Sequence, residues 1–365
     1  MKFSIQREAL LAPIAQVVNV VERRQTLPVL ANFLIEAVDT GLRITGTDME
    51  VELVARARAE VAQTGSITVP ARKLVDICRA LPEGVEIHVQ LNQEKLALHA
   101  GRSRFTLATL PASEFPASDQ AESLQTYTVA QGKLRWLLEK TSFAMAHQDV
   151  RHYLNGLLLE FKDGVVRAVS TDGHRLALAE FEASFSGEPR SLIVPRKGVM
   201  ELNRVLEDSD EELSVVVGQG FLRVDRDRIV MTTKLIDGRF PDYEAVIPMA
   251  TDQSLVANRA AFVQALQRAA ILSNEKYRGV RLEMTPGLLR IIAHNPQQEE
   301  ATEEIEAEHT YENLKVGFNV NYLLDALGSI DEEKVRLALR DANSSCLVTA
   351  TDSEEIRQVV MPLKL

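Results

Sequence analysis

Three stretches of this 365-residue chain share one pattern at a fixed spacing. They are "GLRITGTDMEVEL" from Gly41, "GVVRAVSTDGHRLAL" from Gly164 and "GLLRIIAHNPQQEEAT" from Gly287, separated by 123 residues and again by 123. Each reads as a turn, an alternating apolar strand and a polar Asp or Asn turn. A second pattern recurs in "ITVPARKLVDICRAL", "LIVPRKGVMELNRVL" and "VGFNVNYLLDALGSI", where Pro70, Pro195 and Asn319 lie 125 and 124 apart. Phe115 in "LPASEFP" and Phe240 in "IDGRFPDY" are again 125 apart. Each unit opens with a helical pattern: "REALLAPIAQVVNVV", "GKLRWLLEKTSFAMA" and "NRAAFVQALQRAAIL". So long a period is not that of a solenoid. It predicts three copies of one domain, at 1–125, 126–250 and 251–365. Each is α+β, with two helices against half-buried antiparallel strands.

The repeat bears on the most enzyme-like stretch, which sets Ser170, Thr171, Asp172 and His174 within five positions. "TDGH" stands where the first copy has "TDME" and the third "HNPQ". What the three share is a turn, and Asp or Asn suits it by bonding nearby amides. Alternation along the strand also throws Ser170 and its neighbours to opposite faces. No GxSxG, GxxxxGK[ST], GxGxxG or HExxH occurs, so no catalytic residue is expected. His147 and His152 are five apart without a further ligand set, and no metal or cofactor is expected. Cys78 and Cys346 form no CxxC pair and read as reduced, buried thiols of a cytoplasmic protein. The first residues carry Arg7 and Glu8 before any apolar run, which reads as neither signal peptide nor membrane span.

Charge is unevenly distributed. The net charge of −11 alone argues against a nucleic-acid partner. Helices are expected at 7–21, 71–81, 131–146, 196–206, 259–272 and 320–330. They hold twelve basic residues (Arg7, Arg72, Lys73, Arg79, Lys133, Arg135, Lys140, Arg196, Lys197, Arg204, Arg259, Arg268) against Glu8, Asp76, Glu139, Glu201 and Asp325. The helices therefore carry +7 and the remainder −18, since −11 less +7 is −18. Arg72 and Arg79, Lys133 and Lys140, and Lys197 and Arg204 are each seven apart, nearly two helical turns, so each pair shares a face. Basic residues that merely solvate an outer face explain one such helix less awkwardly than five. A cationic helical layer under an acidic shell suits phosphates contacted without reading bases.

With these features in place, the chain resembles the family of bacterial beta sliding clamps, the processivity subunits of DNA polymerase III. The resemblance runs over the full length and rests on "RQTLPVLANFL", "GRSRFTLATLPASEFP", "AMAHQDVRHYLNG", "TDGHRLA", "KLIDGRFPDY", "AILSNEKYRGVRL", "GFNVNYLLDAL" and "VVMPLKL". It implies a DNA-clamp fold and a head-to-tail homodimer, a closed ring of six domains around duplex DNA. The function implied is a tether for the replicative polymerase, without chemistry. The partners implied are a clamp loader, the polymerase catalytic subunit, and other polymerases and repair proteins that bring short peptides. The resemblance puts Lys73, Arg102, Arg104, Phe105 and Leu107 on one side of the dimer seam. It puts Ile271, Leu272, Glu299, Glu300 and Glu303 on the other, with Glu304 beside them. As a peptide cleft it implies Arg151, Leu154, Thr171, Gly173, His174, Arg175, Leu176, Pro241 and Val246. The third copy adds Asn319, Tyr322, Ser345, Val359, Val360, Met361, Pro362 and Leu363. For DNA it adds Arg24, Gln148 and Tyr153 to Arg72, Lys73, Arg79, Lys133, Lys140, Arg196, Lys197 and Arg204 of the helices. The sequence departs from the family at Ala245 (often Arg), Asn343 (often Val), His152 (usually Tyr) and Gln297 (often Glu).

Overall fold

The computed structural model describes residues 1–21, 27–116, 122–185, 187–249 and 251–364. Contacts gather the chain into two units, Met1–Gly132 with Met200–Leu235 and Lys133–Val199 with Ile236–Leu365. The first unit takes the first copy and part of the middle one; the second takes the rest of the middle copy and the third. Strand pairing explains the partition.

In the first unit, a five-stranded antiparallel sheet runs Glu60–Gln63, Lys2–Gln6, Glu86–Asn92, Lys95–Ala100, Ser103–Ala108. An eight-stranded sheet runs Ser123–Ala130, Glu212–Gly218, Phe221–Arg226, Ile229–Lys234, Val51–Ala57, Gly41–Thr47, Asn32–Val38, Gly65–Pro70. Its middle joins two copies: Ile229 lies opposite Ala55, Met231 opposite Leu53 and Thr233 opposite Val51.

The second unit holds a twelve-stranded sheet. It runs Arg190–Pro195, Gly156–Lys162, Val165–Thr171, Arg175–Glu182, Ile356–Val360, Cys346–Ala350, Lys334–Ala338, Ser254–Asn258, Glu300–His309, Leu288–His294, Gly279–Thr285, Leu314–Asn319. It contains the equivalent junction, with Arg175 opposite Val360, Ala177 opposite Gln358 and Ala179 opposite Ile356. Alternating apolar residues face the helices, as in Glu86–Asn92, where Ile87 and Val89 are buried between exposed neighbours.

Six α-helices occur among the described residues: α1 (Arg7–Val17), α2 (Ala71–Ala80), α3 (Gln131–Thr141), α4 (Arg196–Val205), α5 (Arg259–Ala270) and α6 (Val320–Gly328). Each presents one apolar stripe. In α2 it is Ala71, Leu74, Val75 and Cys78, and in α5 it is Phe262, Ala265, Leu266 and Ala269. Asn258 caps α5 by accepting from Ala261 N (3.0 Å), and Asn319 caps α6 by accepting from Asn321 N (2.9 Å). All six end before their expected limits, α1 and α3 by four residues or more. α1 gives way to a 3₁₀ turn at Val18–Val20, and Pro13 within it offers no N–H to the preceding turn. α3 stops at Thr141, whose hydroxyl donates to Leu137 O (2.6 Å), and a 3₁₀ turn Ser142–Ala144 follows. Both cysteines are free and buried, and burial pushes both thiols up to about 12.

Candidate functional site

The "TDGH" segment is a hydrogen-bonded turn. Asp172 Oδ1 accepts from His174 N (2.9 Å) and Arg175 N (3.1 Å). Asp48 does the same in the first copy, accepting from Glu50 N (2.9 Å) and Val51 N (2.7 Å). In the third, Asn295 Oδ1 accepts from Gln297 N and Glu299 N, both at 3.1 Å. Ser170 is fully buried and its hydroxyl donates to Thr141 O, whereas His174 is exposed. That separation leaves no nucleophile beside a base. Among the described residues no group of three His, Cys, Asp or Glu is placed to hold a metal, and no helix is long and apolar enough to cross a membrane.

The same turn forms one wall of a cavity of about 170 Å³ in the second unit. Its lining includes Arg151, Leu154, Thr171, Gly173, Arg175, Leu176, Pro241, Val246, Val359 and Met361, all expected there. Tyr153, expected at DNA, lines it too. The floor belongs to an apolar cluster that includes Leu158, Val169, Leu178, Ile193 and Phe240. The far wall is the chain end: Leu176 lies opposite Val359, Met361 N donates to His174 O (3.0 Å), and Leu363 N donates to Gly317 O (2.7 Å). His174, Asn319, Tyr322, Ser345, Val360, Pro362 and Leu363 do not line the cavity. His174 contributes its carbonyl to the chain end, Asn319 caps α6, and Val360 is fully buried.

Two arginines hold the cavity in shape. Arg175 donates from Nε to Asp172 Oδ2 (3.1 Å) and from Nη2 to Phe143 O (2.8 Å), and pairs with Asp325. Its guanidinium lies 4.6 Å from the Tyr322 ring centroid. It is a positioning residue, with Tyr322 as its platform; burial, with Asp172 next, raises the Tyr322 hydroxyl above its ordinary value. Arg151 grips Asp149 through Nε (3.0 Å) and Nη2 (2.9 Å). The Arg151 side chain and backbone N–H together hold the Asp149 carboxyl down at about 2. A depressed carboxylate contributes above its unfolded value of about 3.9, and its contribution is lost as pH falls through the folded value. The clip therefore persists across the neutral range. Gly173 is required beside it: its φ is +88°, and a Cβ there stands 3.2 Å from Arg151 Nη2.

The basic helix residues differ in availability. Arg72, Lys73, Arg79 and Lys133 are exposed, although Arg72 Nη2 also donates to Val21 O (3.0 Å). Lys140 departs from the expectation of an outward-facing pair with Lys133. It is 8% exposed and its Nζ lies 2.6 Å from Asp331 Oδ2, because the chain just beyond α6 covers the end of α3. Arg196 is half-buried and donates to Met145 O (3.2 Å), Lys197 is half-buried, and exposed Arg204 pairs with Glu201. Gln148 is exposed. Arg24 lies outside the described residues.

The expected seam residues occupy two open sheet edges. Ser103–Ala108 is the last strand of the five-stranded sheet, with Arg102 and Arg104 exposed and Phe105 half-buried. Leu107, on the same face of the strand as Phe105, is 7% exposed and already packed in its own core. Glu300–His309 pairs with Leu288–His294 from Glu300 to Glu306, but with Ser254–Asn258 only from Ala307 to His309, so its first part keeps a free edge. Beside it, Ile271 is 76% exposed and Leu272 half-buried. Glu299 accepts from Asn295 Nδ2 (2.6 Å), and Glu300 is exposed. Glu303 holds Arg268 through two bonds (3.0 and 2.6 Å), which lowers its carboxyl below the ordinary value. Sequence spacing does not reveal this pair, whose members are 35 residues apart.

Family models for the DNA polymerase III beta subunit match along the chain: the N-terminal domain at residues 1–119, the central domain at 128–242 and the C-terminal domain at 244–364. The chain is 52% identical over 367 residues to the beta sliding clamp of Pseudomonas aeruginosa, and 47% identical over 366 residues to that of Escherichia coli, covering 100% of each. The crystal structure of the DNA polymerase III subunit beta from P. aeruginosa, 52% identical, is similar over 100% of both chains with a TM-score of 0.97.

Proposed function

The chain belongs to the DNA polymerase III beta subunit family, and from that premise we propose how its residues make a ring-shaped sliding clamp. The protein encircles duplex DNA and tethers the replicative polymerase and other replication and repair proteins, with no chemistry of its own. The carrying observation is what the threefold repeat leaves unpaired. Val51–Ala57, Arg175–Glu182 and Glu300–His309 are one strand in three copies, and so are Ser103–Ala108, Ile229–Lys234 and Ile356–Val360. Within the chain, the second copy's later strand joins the first copy, and the third copy's joins the second. The strands left over are Ser103–Ala108 and Glu300–His309. A head-to-tail dimer pairs them twice and leaves neither of the two open.

Register carries over as well. In the hairpins, Thr47 lies opposite Glu52, Thr171 opposite Leu176 and His294 opposite Glu300. Arg226 opposite Ile229 likewise matches Ala100 opposite Ser103. These equivalences set Glu300 against Thr106 of the partner subunit. Arg104 of the partner subunit then falls between Glu300 and Glu304, with Arg102 of the partner subunit opposite Glu304. Glu303 lies on the other face, beside Arg268. Ile271 and Leu272 with Phe105 form the apolar centre of an otherwise charged seam.

The repeat boundaries 1–125, 126–250 and 251–365 are kept as the domains of this reading. The twelve helices of the dimer, net positive in an acidic protein, are the wall toward DNA. Sequence-neutral phosphate contact holds the duplex without stopping it, because topology and not affinity keeps the ring in place. The cavity beside the chain end takes the apolar side chains of short partner peptides, from the clamp loader, the polymerase and others. Met361 gives that wall an adaptable surface. The protein acts on DNA in the cell, and we place it in the cytoplasm.

Salt dependence tests the helical wall. Lys133→Ala lowers the slope of log affinity for DNA against log salt by about 1. Lys140→Ala leaves the slope unchanged and costs roughly 1 kcal/mol of stability, since its stem is packed and its charge is paired within the protein. Equal slope changes from both substitutions, or none from Lys133→Ala, contradict this assignment.

A further inference from the structure

A second cavity, of about 450 Å³, lies in the first unit beside α1. The exposed residues Ala9, Ala12 and Gln16 of α1 form one wall and carry no charge. Arg56 and Arg58 at the end of one strand, with Arg226 and Arg228 at a hairpin turn, form the other. The acid in the lining is Asp227, whose carboxylate stands 3.8 Å from Arg228 Nε. Arg226 is held in place by Val205 O and Glu207. Arg56 and Arg58 are exposed and make no ion pair among the described residues.

The repeat offers an internal comparison. Glu180 and Glu182 stand where Arg56 and Arg58 stand, 124 residues earlier. There the charge is answered inside the protein, with Glu180 paired to both Arg167 and Arg357. At the first junction Arg226 is paired with Glu207, and the other three arginines, Arg56, Arg58 and Arg228, face one aspartate. We propose that this pocket binds the phosphates of nucleic acid, and that it supplies beside α1 the positive charge which α1, with Arg7 alone, lacks. The choice of DNA as the source of phosphate rests on the clamp reading above. Guanidinium forks match phosphate oxygens. An extended acidic peptide is the poorer fit, because the backbone at the pocket is already paired: Arg56 N donates to Arg228 O (2.9 Å).

The test compares the dimer with its Arg56→Gln/Arg58→Gln/Arg228→Gln variant, in binding of a short labelled duplex at low salt. Affinity should fall about tenfold or more and the salt slope by about 2 to 3. Arg58→Gln alone should lower the slope by about 1, which keeps the test available should the triple variant fail to fold. Unchanged affinity and slope, or no measurable binding by either protein, overturns the proposal. So does a polyglutamate peptide that binds the parent and not the variant while duplex binding is equal. Dimer mass and retention on closed circular DNA report the clamp reading separately, and both should survive in the variant.

Discussion

Deletion of residues 361–365 abolishes partner-peptide binding and leaves the dimer at full mass. Met361 is part of the cavity wall, and its N–H closes onto His174 O at 3.0 Å. Leu363 N fixes the end of the chain to Gly317 O at 2.7 Å. Without these residues the cavity opens on one side, and Val359 loses the cover that makes it a pocket residue. An apolar anchor in a closed pocket contributes about 2 to 4 kcal/mol to binding, so the loss should reach about 100-fold or more. The strand Ile356–Val360 keeps its partners on both sides, so the fold persists. The strands proposed for the seam do not involve residues 361–365. Fluorescence anisotropy with a labelled clamp-binding peptide, together with sizing, checks both halves. Unchanged peptide affinity contradicts the assignment of the cleft.

Ile271→Asp separates the dimer into folded protomers. Ile271 is 76% exposed in the isolated chain, so the substitution removes little from its own core. In the ring it lies at the apolar centre of the seam, and the closed dimer contains that seam twice. Loss of an isoleucine contact costs about 1.5 to 3 kcal/mol, and a carboxylate placed on the face that carries Glu303 adds desolvation and repulsion. Counted twice, the effect raises the dissociation constant by about 1,000-fold or more. Sedimentation should show the mass fall from twice 40.6 kDa to 40.6 kDa at micromolar concentration, with the far-UV circular dichroism unchanged. A variant still dimeric at that concentration contradicts the seam.

Much of this architecture is legible from local periodicity. The spacing of Gly41, Gly164 and Gly287 identifies the three copies, and the shared Asp or Asn of the turn explains why Asp172 is no catalytic acid. What local pattern cannot supply is which strand lies beside which. Alternation in Ile229–Lys234 marks a half-buried strand, but only long-range pairing joins it to Val51–Ala57 and divides the middle copy between two units. The same limit applies to single residues. Seven-residue spacing puts Lys133 and Lys140 on one helical face, yet Asp331, 191 residues further on, covers the second. Arg175 lines the expected cavity, but its bonds to Asp325 and Phe143 come from distant segments that spacing does not reveal, and Leu107 is turned into its own core. The arginines beside α1 sit on strand ends and a hairpin turn, where helical spacing gives no signal.

A closed protein ring is held on DNA by topology, and its retention can be measured directly. Clamp loaded onto a nicked circular duplex, freed of loader and unbound protein, should remain on the circle and leave soon after a single cut linearises it. Loss at the same rate from circular and linear DNA would contradict the account.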